Sequence, residues 1–502
     1  MMSKSRRLLQ KINIFKILPK STLLSIALLI FFFGEVVFLM WLQGVDVLPG
    51  KYVLVLLLVL AGATTLTVWL LNNNRKVSNK RLIGLITVVV TLISLNFGSY
   101  YMYNTYDTFH KISSKRVQVE KYYVLVLADG KYQNVEDIKG QKVYVTKADS
   151  KADIEAKGKL TTKADVEYKS VDTGLDLGEK LISSDGNKHD DIIFVSNGNY
   201  RLICDENKTF KLQTKAIYTI TVEVPADNNS SKLNVTEDSF NLYITGIDSR
   251  GGIDEVSRSD VNMIVTINPK TKTLLLTSIP RDAYVTLHTA QQLDKLTHSG
   301  IYGVDETIQT VEDWLEIDLQ HYVKINFQMF VDVVNAIGGI DVYSEYAFKS
   351  AVTDWEYEKG WNHLSGKAAL YFARERKAFK DADGQRILNQ QVVFKAIVEK
   401  FSNSTVLLSS YPAILDEVED EMQTSLSDND ISALVKLTIQ DLGGWKIKQQ
   451  AIQCEGANMG TYSMGFGREL YVAIPDEESV EQCKEKIHEV MYPVMEKKET
   501  TD

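Results

Sequence analysis

The amino-terminal part of the chain consists of long apolar runs separated by short polar links. The runs Ser21–Leu42, Tyr52–Leu71 and Leu82–Tyr101 are each about 20 residues long, the length that an α-helix needs to span the hydrocarbon core of a membrane. A cleavable signal peptide has one such run rather than three. The pattern therefore predicts three transmembrane helices in residues 1–106. Glu35 lies inside the first run and is expected to face a neighbouring helix, because an ionised carboxylate is costly in hydrocarbon.

Basic residues are concentrated on one side of these runs, since the only charged residues between the first two runs are Asp46 and Lys51. Six precede the first run and four lie between the second and third, with no acidic residue among them. They are Lys4, Arg6, Arg7, Lys11, Lys16, Lys20, Arg75, Lys76, Lys80 and Arg81. Because positive loops are retained in the cytoplasm, the N-terminus is expected there. The chain is then a multi-pass protein of the cell membrane, and everything after Tyr101 is expected outside the cell.

After the apolar runs, residues 107–232 alternate short β-branched segments with amphipathic ones. The segments Tyr122–Ala128, Lys142–Thr146, Asp191–Val195 and Ala216–Val224 have the composition of strands, and helical patterns lie between them. This predicts a small extracellular α/β accessory domain, closed by the polar linker 225–232. It contains no residues at catalytic spacing, so a binding or spacing role is the expectation.

A second run of strand patterns begins at residue 241. Leu242–Ile247, Val261–Ile267 and Thr273–Ile279 are rich in β-branched residues, and the turn 268–272 predicts a hairpin between the last two. The end of the first strand, the start of the second and the end of the third then lie at one edge of a sheet. The charged residues at this edge are Asp248, Arg250, Arg258, Asp260, Arg281 and Asp282. They form either a functional site or a structural salt-bridge network.

The stretch 366–391 carries a second set of candidate residues. Arg374 and Arg376 follow an apolar segment, and Asp383 is a candidate N-cap for a long helix. On that helix Arg386 and Gln390 are four residues apart and share one face. Elsewhere the sequence predicts the helices Val304–Leu315, Phe327–Ala336 and Glu477–Met491 and a mobile, glycine-rich loop at 456–467. Residues 233–502 are thus expected to form a second, larger α/β domain.

Composition narrows the classes of function. Charged residues make up 24% of the chain and apolar residues 45%, which is typical of a folded protein. The net charge is −9 and the cytoplasmic segments contribute +10, so the remainder carries −19 and is not expected to bind nucleic acid. Three cysteines without a ligand spacing argue against zinc, and whether Cys454 and Cys483 pair is open.

Arginine usage points to an anionic ligand. Nine arginines follow the apolar runs, and six of them fall in the two stretches that carry the candidate residues. The planar fork of arginine binds phosphate oxygens in pairs and tolerates partial burial. Six together favour a polyanion, for which pyrophosphate is the candidate. Asp248 and Asp260 are candidate ligands of Mg²⁺ (or Mn²⁺), a hard cation that carboxylates and substrate phosphates commonly share.

Several ordered motifs resemble those of the LytR-CpsA-Psr (LCP) family of Gram-positive envelope proteins. They are GIDSR, RSD, SIPRD, the Gly-Gly pair before a strand, G-x-x-AL-x-x-AR-x-R and D-x-x-R-x-x-x-Q, between Asn241 and Gln391. Three spans followed by an α/β unit resemble the CpsA-like capsule or exopolysaccharide branch. The fold class implied is α/β: three transmembrane helices, the accessory domain, and an α-β-α LCP catalytic domain with a mixed sheet.

The resemblance implies a phosphotransferase that attaches a capsular or exopolysaccharide from a polyprenyl-pyrophosphate carrier to peptidoglycan with the help of Mg²⁺. Capsule-synthesis proteins of the membrane are candidate partners. The polyprenyl tail is expected in an apolar groove between sheet and helices. The residues that the resemblance implies for the pyrophosphate are Arg258, Arg281, Arg374, Arg376, Asp383, Arg386 and Gln390, and those for the metal are Asp248 and Asp260. Arg258, Arg281, Arg374 and Arg376 are also the expected catalytic residues, with Asp282 or another rim carboxylate as the base.

Two other functions fit the same residues. One is a pyrophosphatase that acts on polyprenyl pyrophosphates, and the other is a non-catalytic regulator or scaffold of polysaccharide synthesis. The products of the reaction distinguish these alternatives.

Overall fold

The computed structural model describes residues 22–72, 79–114, 117–147, 150–183, 191–225, 233–247, 252–380, 382–403, 406, 410–441 and 443–493. The chain divides into two compact units. One contains residues of 1–110 together with 428–442, and the other contains residues of 111–427 together with 443–502. The domain boundaries predicted at residues 106 and 232 stay predictions.

The first unit contains the three apolar helices that the sequence predicts. They are α1 (Thr22–Val45), α2 (Gly50–Leu71) and α3 (Asn79–Ser114), all long and apolar enough to cross a membrane. α3 continues well beyond the predicted end at Tyr101. The Glu35 carboxylate in α1 accepts a hydrogen bond of 2.5 Å from the Thr64 hydroxyl in α2. Glu35 therefore faces a neighbouring helix, as its cost in hydrocarbon requires.

The second unit begins with an α/β segment that contains its own sheet. Its elements are β1 (Val117–Leu127), β2 (Lys142–Thr146), α4 (Lys151–Ala164), β3 (Glu167–Val171), α5 (Gly174–Ile182), β4 (Ile192–Ser196), α6 (Asn197–Glu206), α7 (Phe210–Gln213) and β5 (Thr214–Pro225). The strand order is β3-β2-β4-β1-β5, with β1 antiparallel to both neighbours. We call this part, residues 117–225, the accessory sheet. Apolar side chains fill both of its faces.

The rest of the chain surrounds a second sheet. Its elements are β6 (Phe240–Ile247), β7 (Val261–Asn268), β8 (Thr273–Ile279), β9 (Tyr284–Thr286), β10 (Leu293–Lys295), α8 (Leu296–Ser299), α9 (Val304–Leu315), β11 (His321–Asn326), α10 (Phe327–Ala336), β12 (Ile340–Ser344), β13 (Phe348–Lys349), β14 (Glu356–Tyr357), β15 (Gly360–Leu364), α11 (Gly366–Arg374), α12 (Ala382–Asn403), α13 (Tyr411–Val418), β16 (Met422–Thr424), α14 (Asp428–Gln440), β17 (Lys446–Ala451), β18 (Cys454–Thr461), β19 (Gly465–Pro475) and α15 (Glu477–Met491).

Six of these strands form the central sheet, in the order β16-β11-β6-β7-β8-β17. β6 is parallel to β11 and β8 is parallel to β17, whereas β7 is antiparallel to both of its neighbours, β6 and β8. The three strands predicted from residue 241 onwards are confirmed, and so is the hairpin between the last two. The Asn268 side chain accepts from the Thr271 backbone N–H at 3.0 Å and closes its turn.

Helices cover both faces of the central sheet. On one face α9 and α15 pack against a buried cluster that includes Tyr243, Ile264 and Leu275, and on the other lie α10, α11 and α12. The three-layer α-β-α arrangement with a mixed sheet is therefore confirmed. α10 and α11 approach so closely that a Cβ at Gly366 would lie 2.0 Å from the Val331 carbonyl oxygen.

The stretch predicted as a mobile loop at 456–467 is instead most of the antiparallel hairpin β18–β19, so that prediction is wrong. The glycines that suggested a loop are needed for close approach. A Cβ at Gly460 would lie 2.4 Å from the Phe466 carbonyl oxygen, and Gly465 has a φ of +84° at the turn. Glycine relieves both constraints because it has no Cβ.

α14 belongs to the first unit although it lies far along the chain. The Lys436 ammonium is 2.8 Å from the Asp46 carboxylate just after α1. Lys51 in α2 donates to the Gln440 carbonyl oxygen at 3.2 Å. The helix thus packs near the end of α1 and the start of α2.

Candidate functional site at the sheet edge

The hairpin brings the candidate residues of the first stretch to one edge of the central sheet. Gly246 pairs with Val261, and Asn262 pairs with Ile279, so the strand ends are neighbours. The Asp260 backbone N–H donates to the Gly246 carbonyl oxygen at 2.8 Å. The sequence prediction of a shared edge is therefore confirmed for the residues that the structure describes.

Arg281 joins two carboxylates at this edge. Its Nη1 atom lies 2.5 Å from Asp260 Oδ1, and its Nε atom lies 3.4 Å from Asp282 Oδ2. Arg376 Nη2 reaches the same Asp282 oxygen at 3.2 Å, and Lys295 Nζ is 3.4 Å from Asp282 Oδ1. Three cations thus converge on Asp282, and one of them, Lys295, was not a candidate from the sequence.

The surroundings of Asp282 fix its charge. The residue is only 4% exposed, and burial by itself raises the pKa of its carboxyl. The positive charges of Arg281, Lys295, Arg376 and Arg386 more than offset burial and lower the pKa to about 2. Asp282 is therefore ionised at any physiological pH, and its negative charge holds the arginines at the edge.

This depressed pKa leads to a prediction about stability. Because the pKa is 3.8 when unperturbed and about 2 in the folded chain, the ionised Asp282 stabilises the fold above pH 4, and this contribution is lost as the pH falls towards 2. Asp282→Asn is expected to lower the free energy of unfolding at pH 7 by about 2 kcal/mol. The difference from the wild type should shrink by pH 3.

Denaturant unfolding of the full chain in detergent at pH 7 and pH 3 measures this difference. Asp354→Asn is the control, since Asp354 is an exposed loop residue, and it is expected to change neither value. If the free energies of unfolding of the wild type and Asp282→Asn differ by the same amount at both pH values, the role assigned to Asp282 is wrong.

Arg258 belongs to the same charge cluster. Burial lowers the pKa of its guanidinium most, the charges of Arg281 and Arg201 lower it further, and Asp260 and Asp282 raise it. Its side chain is 25% exposed and forms an ion pair with Asp205 in α6. Arg258 thus interacts electrostatically with Asp260 and Asp282. Asp205, which belongs to the accessory sheet, binds its guanidinium.

An apolar cavity opens next to this edge. It lies between the central sheet and α10, α11 and α12. The Arg374 guanidinium lies over the Phe327 ring, 4.7 Å from its centroid, and Arg374 and Gln390 are among the residues that line the cavity. Apolar lining residues include Ile244, Met263, Ile325, Phe330, Leu370 and Val393. Gly246 and Val261 also line it, so the cavity adjoins Asp260.

A buried glutamate shapes the loop that carries Arg376. Glu375 is 3% exposed, and its Oε1 accepts from the backbone N–H groups of Arg376, Lys377 and Ala378 at 3.0, 2.9 and 3.2 Å. Burial raises the pKa of Glu375, but hydrogen bonds from the backbone of Ala351, from Ser350 and from this loop lower it overall. The loop is therefore fixed by an ionised carboxylate, which the sequence analysis missed.

The candidate residues have different outcomes. Asp260, Arg281, Asp282, Arg376, Arg386 and Arg258 form one electrostatic cluster, whereas Arg374 and Gln390 lie together at the cavity. Asp248 and Arg250 lie outside the described residues, and of Asp383 the structure describes only its place near the start of α12. Their roles stay predictions. Thr297, whose hydroxyl is 3.3 Å from Asp260 Oδ1, was missed.

The described residues offer limited ligands for a cation. Among them no group of three or more His, Cys, Asp or Glu side chains has a metal-binding arrangement. Asp260 is at the edge with one oxygen bound to Arg281 and Thr297. Its carboxylate is a hard donor that suits Mg²⁺, which commonly needs one or two protein carboxylates besides substrate phosphates. Cys454 and Cys483 are free thiols.

A comparison with protein families identifies the relationship. The family model described as the LytR_cpsA_psr family matches residues 207–489, which is more than half of the chain. The chain belongs to the LytR_cpsA_psr family. The resemblance seen in the motifs is therefore confirmed, and the match includes both candidate stretches.

Individual proteins are similar to this chain. The chain is 34% identical over 195 residues, 39% of its own length, to the polyisoprenyl-teichoic acid–peptidoglycan teichoic acid transferase TagU of Bacillus licheniformis, and the match spans 62% of that relative. TagU of Bacillus cereus is 30% identical over 221 residues, 43% of this chain and 71% of the relative. The crystal structure of B. subtilis TagV is 29% identical and covers 51% of this chain and 98% of its own, with a TM-score of 0.43.

Proposed function

We propose that the protein is a membrane-anchored phosphotransferase that moves a glycopolymer from a polyprenyl-pyrophosphate carrier to peptidoglycan. The observation that carries this proposal is the apolar cavity beside an edge rich in arginine, with Arg374 and Gln390 in its lining. A polyprenyl pyrophosphate has the matching two parts, an apolar chain and an anionic head. The relatives named as teichoic acid–peptidoglycan transferases support the same class of reaction.

In the proposed reaction a hydroxyl oxygen of peptidoglycan attacks the phosphorus that carries the sugar. The bond from that phosphorus to the bridging oxygen breaks, and polyprenyl phosphate leaves with the electron pair. Arg281, Arg376 and Arg386 stabilise the charge that develops on the phosphate oxygens, and Arg258 and Arg374 bind the head. The hydroxyl proton passes to an edge carboxylate other than Asp282 or to water, because a pKa of about 2 makes Asp282 a poor proton acceptor.

Mg²⁺ (or Mn²⁺) is proposed to assist. Asp260 and Asp248 would hold it, and when bound it supplies additional positive charge to the phosphate oxygens. The support is the hard carboxylate donor of Asp260 at the edge. Asp383 is proposed to contribute to the pyrophosphate site from the start of α12.

The proposed topology follows from charge. The basic residues before α1 and between α2 and α3 favour a cytoplasmic N-terminus, which places the arginine-rich edge outside the cell with peptidoglycan. A reporter fused after Asp502 tests this orientation, and cytoplasmic activity of the reporter would overturn it.

The polymer proposed is a capsular or exopolysaccharide, made with capsule-synthesis proteins of the membrane. Its support is the succession of three apolar helices and an α/β unit, which resembles the CpsA-like branch.

Product analysis tests the activity. The purified full chain in detergent, given lipid-linked glycopolymer and peptidoglycan, is expected to produce glycan covalently attached to peptidoglycan, and EDTA is expected to slow the reaction with recovery on adding Mg²⁺. Phosphate release without attached glycan would identify a pyrophosphatase instead. No product of either kind would favour a regulator or scaffold.

A further inference from the structure

The accessory sheet reaches the candidate site from outside the region that defines the family. The family model begins at residue 207, whereas α6 ends at Glu206. Asp205, in the last turn of α6, forms an ion pair with Arg258. An arginine of the site is therefore held by a carboxylate that lies before the family match.

The segment that precedes Arg258 is bound to the accessory sheet by ion pairs and by a backbone hydrogen bond. Glu255 Oε1 is 2.6 Å from Lys121 Nζ in β1, and Glu255 Oε2 is 3.2 Å from Arg201 Nη2 in α6. The Val119 backbone N–H donates to the Asp254 carbonyl oxygen at 3.0 Å, and Val119 forms a parallel bridge with Glu255. Residues 252–258 are thus bound to β1 and α6 by both side chains and backbone.

The central part of the chain fixes this segment from the other side. The buried Lys324 ammonium donates to the Glu255 carbonyl oxygen at 2.9 Å, and burial lowers the pKa of Lys324 to about 8. Gly300 packs so tightly that a Cβ there would lie 2.5 Å from the Ser257 carbonyl oxygen and 2.6 Å from the Ser259 nitrogen. The segment on which Arg258 lies has little room to move.

We propose that Asp205 and Glu255 are positioning residues for the pyrophosphate head, so that the accessory sheet is part of the donor-binding site. This rests on the proposed function. A guanidinium has five N–H donors in a planar fork. Asp205 contacts the Nη2 end and leaves the other donors for phosphate oxygens. An arginine side chain that an ion pair already orients loses less conformational freedom on binding an anion than an unrestrained arginine does.

Binding of farnesyl pyrophosphate to the full chain in detergent, measured by titration calorimetry, tests this proposal. Asp205→Asn preserves the shape and removes the charge. It is expected to weaken binding about fivefold, or ~1 kcal/mol, because the carboxylate is half-exposed. Asp205→Glu restores the charge and is expected to bind within about twofold of the wild type. Glu255→Gln, at a more buried carboxylate, is expected to weaken binding about tenfold.

Salt and a neighbouring variant separate positioning from a general loss of structure. The difference in farnesyl pyrophosphate affinity between the wild type and Asp205→Asn is expected to shrink at 0.5 M NaCl, because salt screens an exposed ion pair. Glu206→Gln, at the next position of α6, is expected to bind like the wild type. Equal binding by wild type and Asp205→Asn at low salt would overturn the proposal. Tighter binding by Asp205→Asn would also overturn it, because Asp205 would then block Arg258 rather than orient it.

Arg281→Ala distinguishes failure of this proposal from failure of the proposed function. If Arg281→Ala loses farnesyl pyrophosphate and Asp205→Asn does not, the pyrophosphate site stands and the role of the accessory sheet is wrong. If Arg281→Ala binds like the wild type, the pyrophosphate site itself is wrong, and the proposed function with it.

Discussion

Arg281→Ala is expected to reduce glycopolymer transfer at least ~100-fold, the usual effect of removing one donor that stabilises developing charge. Among the described residues of the edge, Arg281 contacts two carboxylates, Asp260 at 2.5 Å and Asp282 at 3.4 Å. Its loss removes a guanidinium from the place where the phosphate oxygens are proposed to bind. Transfer of labelled glycan to peptidoglycan, under saturating donor, measures the effect.

Two further variants make this result specific. Arg281→Lys keeps the charge that balances the buried Asp282 but lacks the planar fork, so we expect a folded chain with transfer still reduced at least ~10-fold. Arg468→Ala is the matched control, because Arg468 lies in the β18–β19 hairpin and pairs with Glu179. It is expected to transfer at the wild-type rate. Wild-type transfer by Arg281→Ala would refute the assignment of the edge.

Leu370→Trp is expected to discriminate between donors by the length of their isoprenoid chain. Leu370 is half-buried in α11 and lines the apolar cavity, so an indole there occupies space that the chain needs. The affinity for a long polyprenyl pyrophosphate should fall about tenfold or more, equivalent to ~1.4 kcal/mol. The affinity for dimethylallyl pyrophosphate, which has almost no chain, should stay unchanged.

Titration of the two ligands into the wild type and the variant measures both affinities. Lys367→Trp places the same side chain on the exposed side of α11 and is the control for the indole itself. If Leu370→Trp weakens both ligands equally, it has disturbed Arg374 rather than the cavity. If it weakens neither, the chain binds elsewhere.

The arginine-rich edge and the apolar cavity are neighbours, which suits a ligand with an anionic head and an apolar chain. The arginine-rich edge adjoins the apolar cavity, since Gly246 and Val261 line the cavity. Asp260 immediately precedes Val261, and its backbone N–H donates to the Gly246 carbonyl oxygen. An anionic head at the edge therefore leaves its attached chain beside the cavity. The negative charge of Asp282 offsets part of the mutual repulsion of the arginines before a ligand binds.

The sequence alone determined the features that depend on short-range patterns. The length and apolar content of three runs predicted α1, α2 and α3, although the end of α3 was placed too early. Alternation and punctuation predicted β6, β7 and β8. The hairpin geometry then predicted that Asp260 and Arg281 meet, because antiparallel neighbours bring the end of one strand beside the start of the other.

Only the tertiary structure decided which distant side chains contact the charged residues of the edge. Lys295 reaches Asp282, Asp205 reaches Arg258, and Glu375 fixes the loop of Arg376. None of these contacts follows from residue spacing, since they depend on how separate elements pack. Likewise the glycines of β18 and β19 indicated a loop when read locally, whereas the close approach of two strands requires them. Local periodicity fixes elements, but the partners of long charged side chains are fixed by packing across the whole fold.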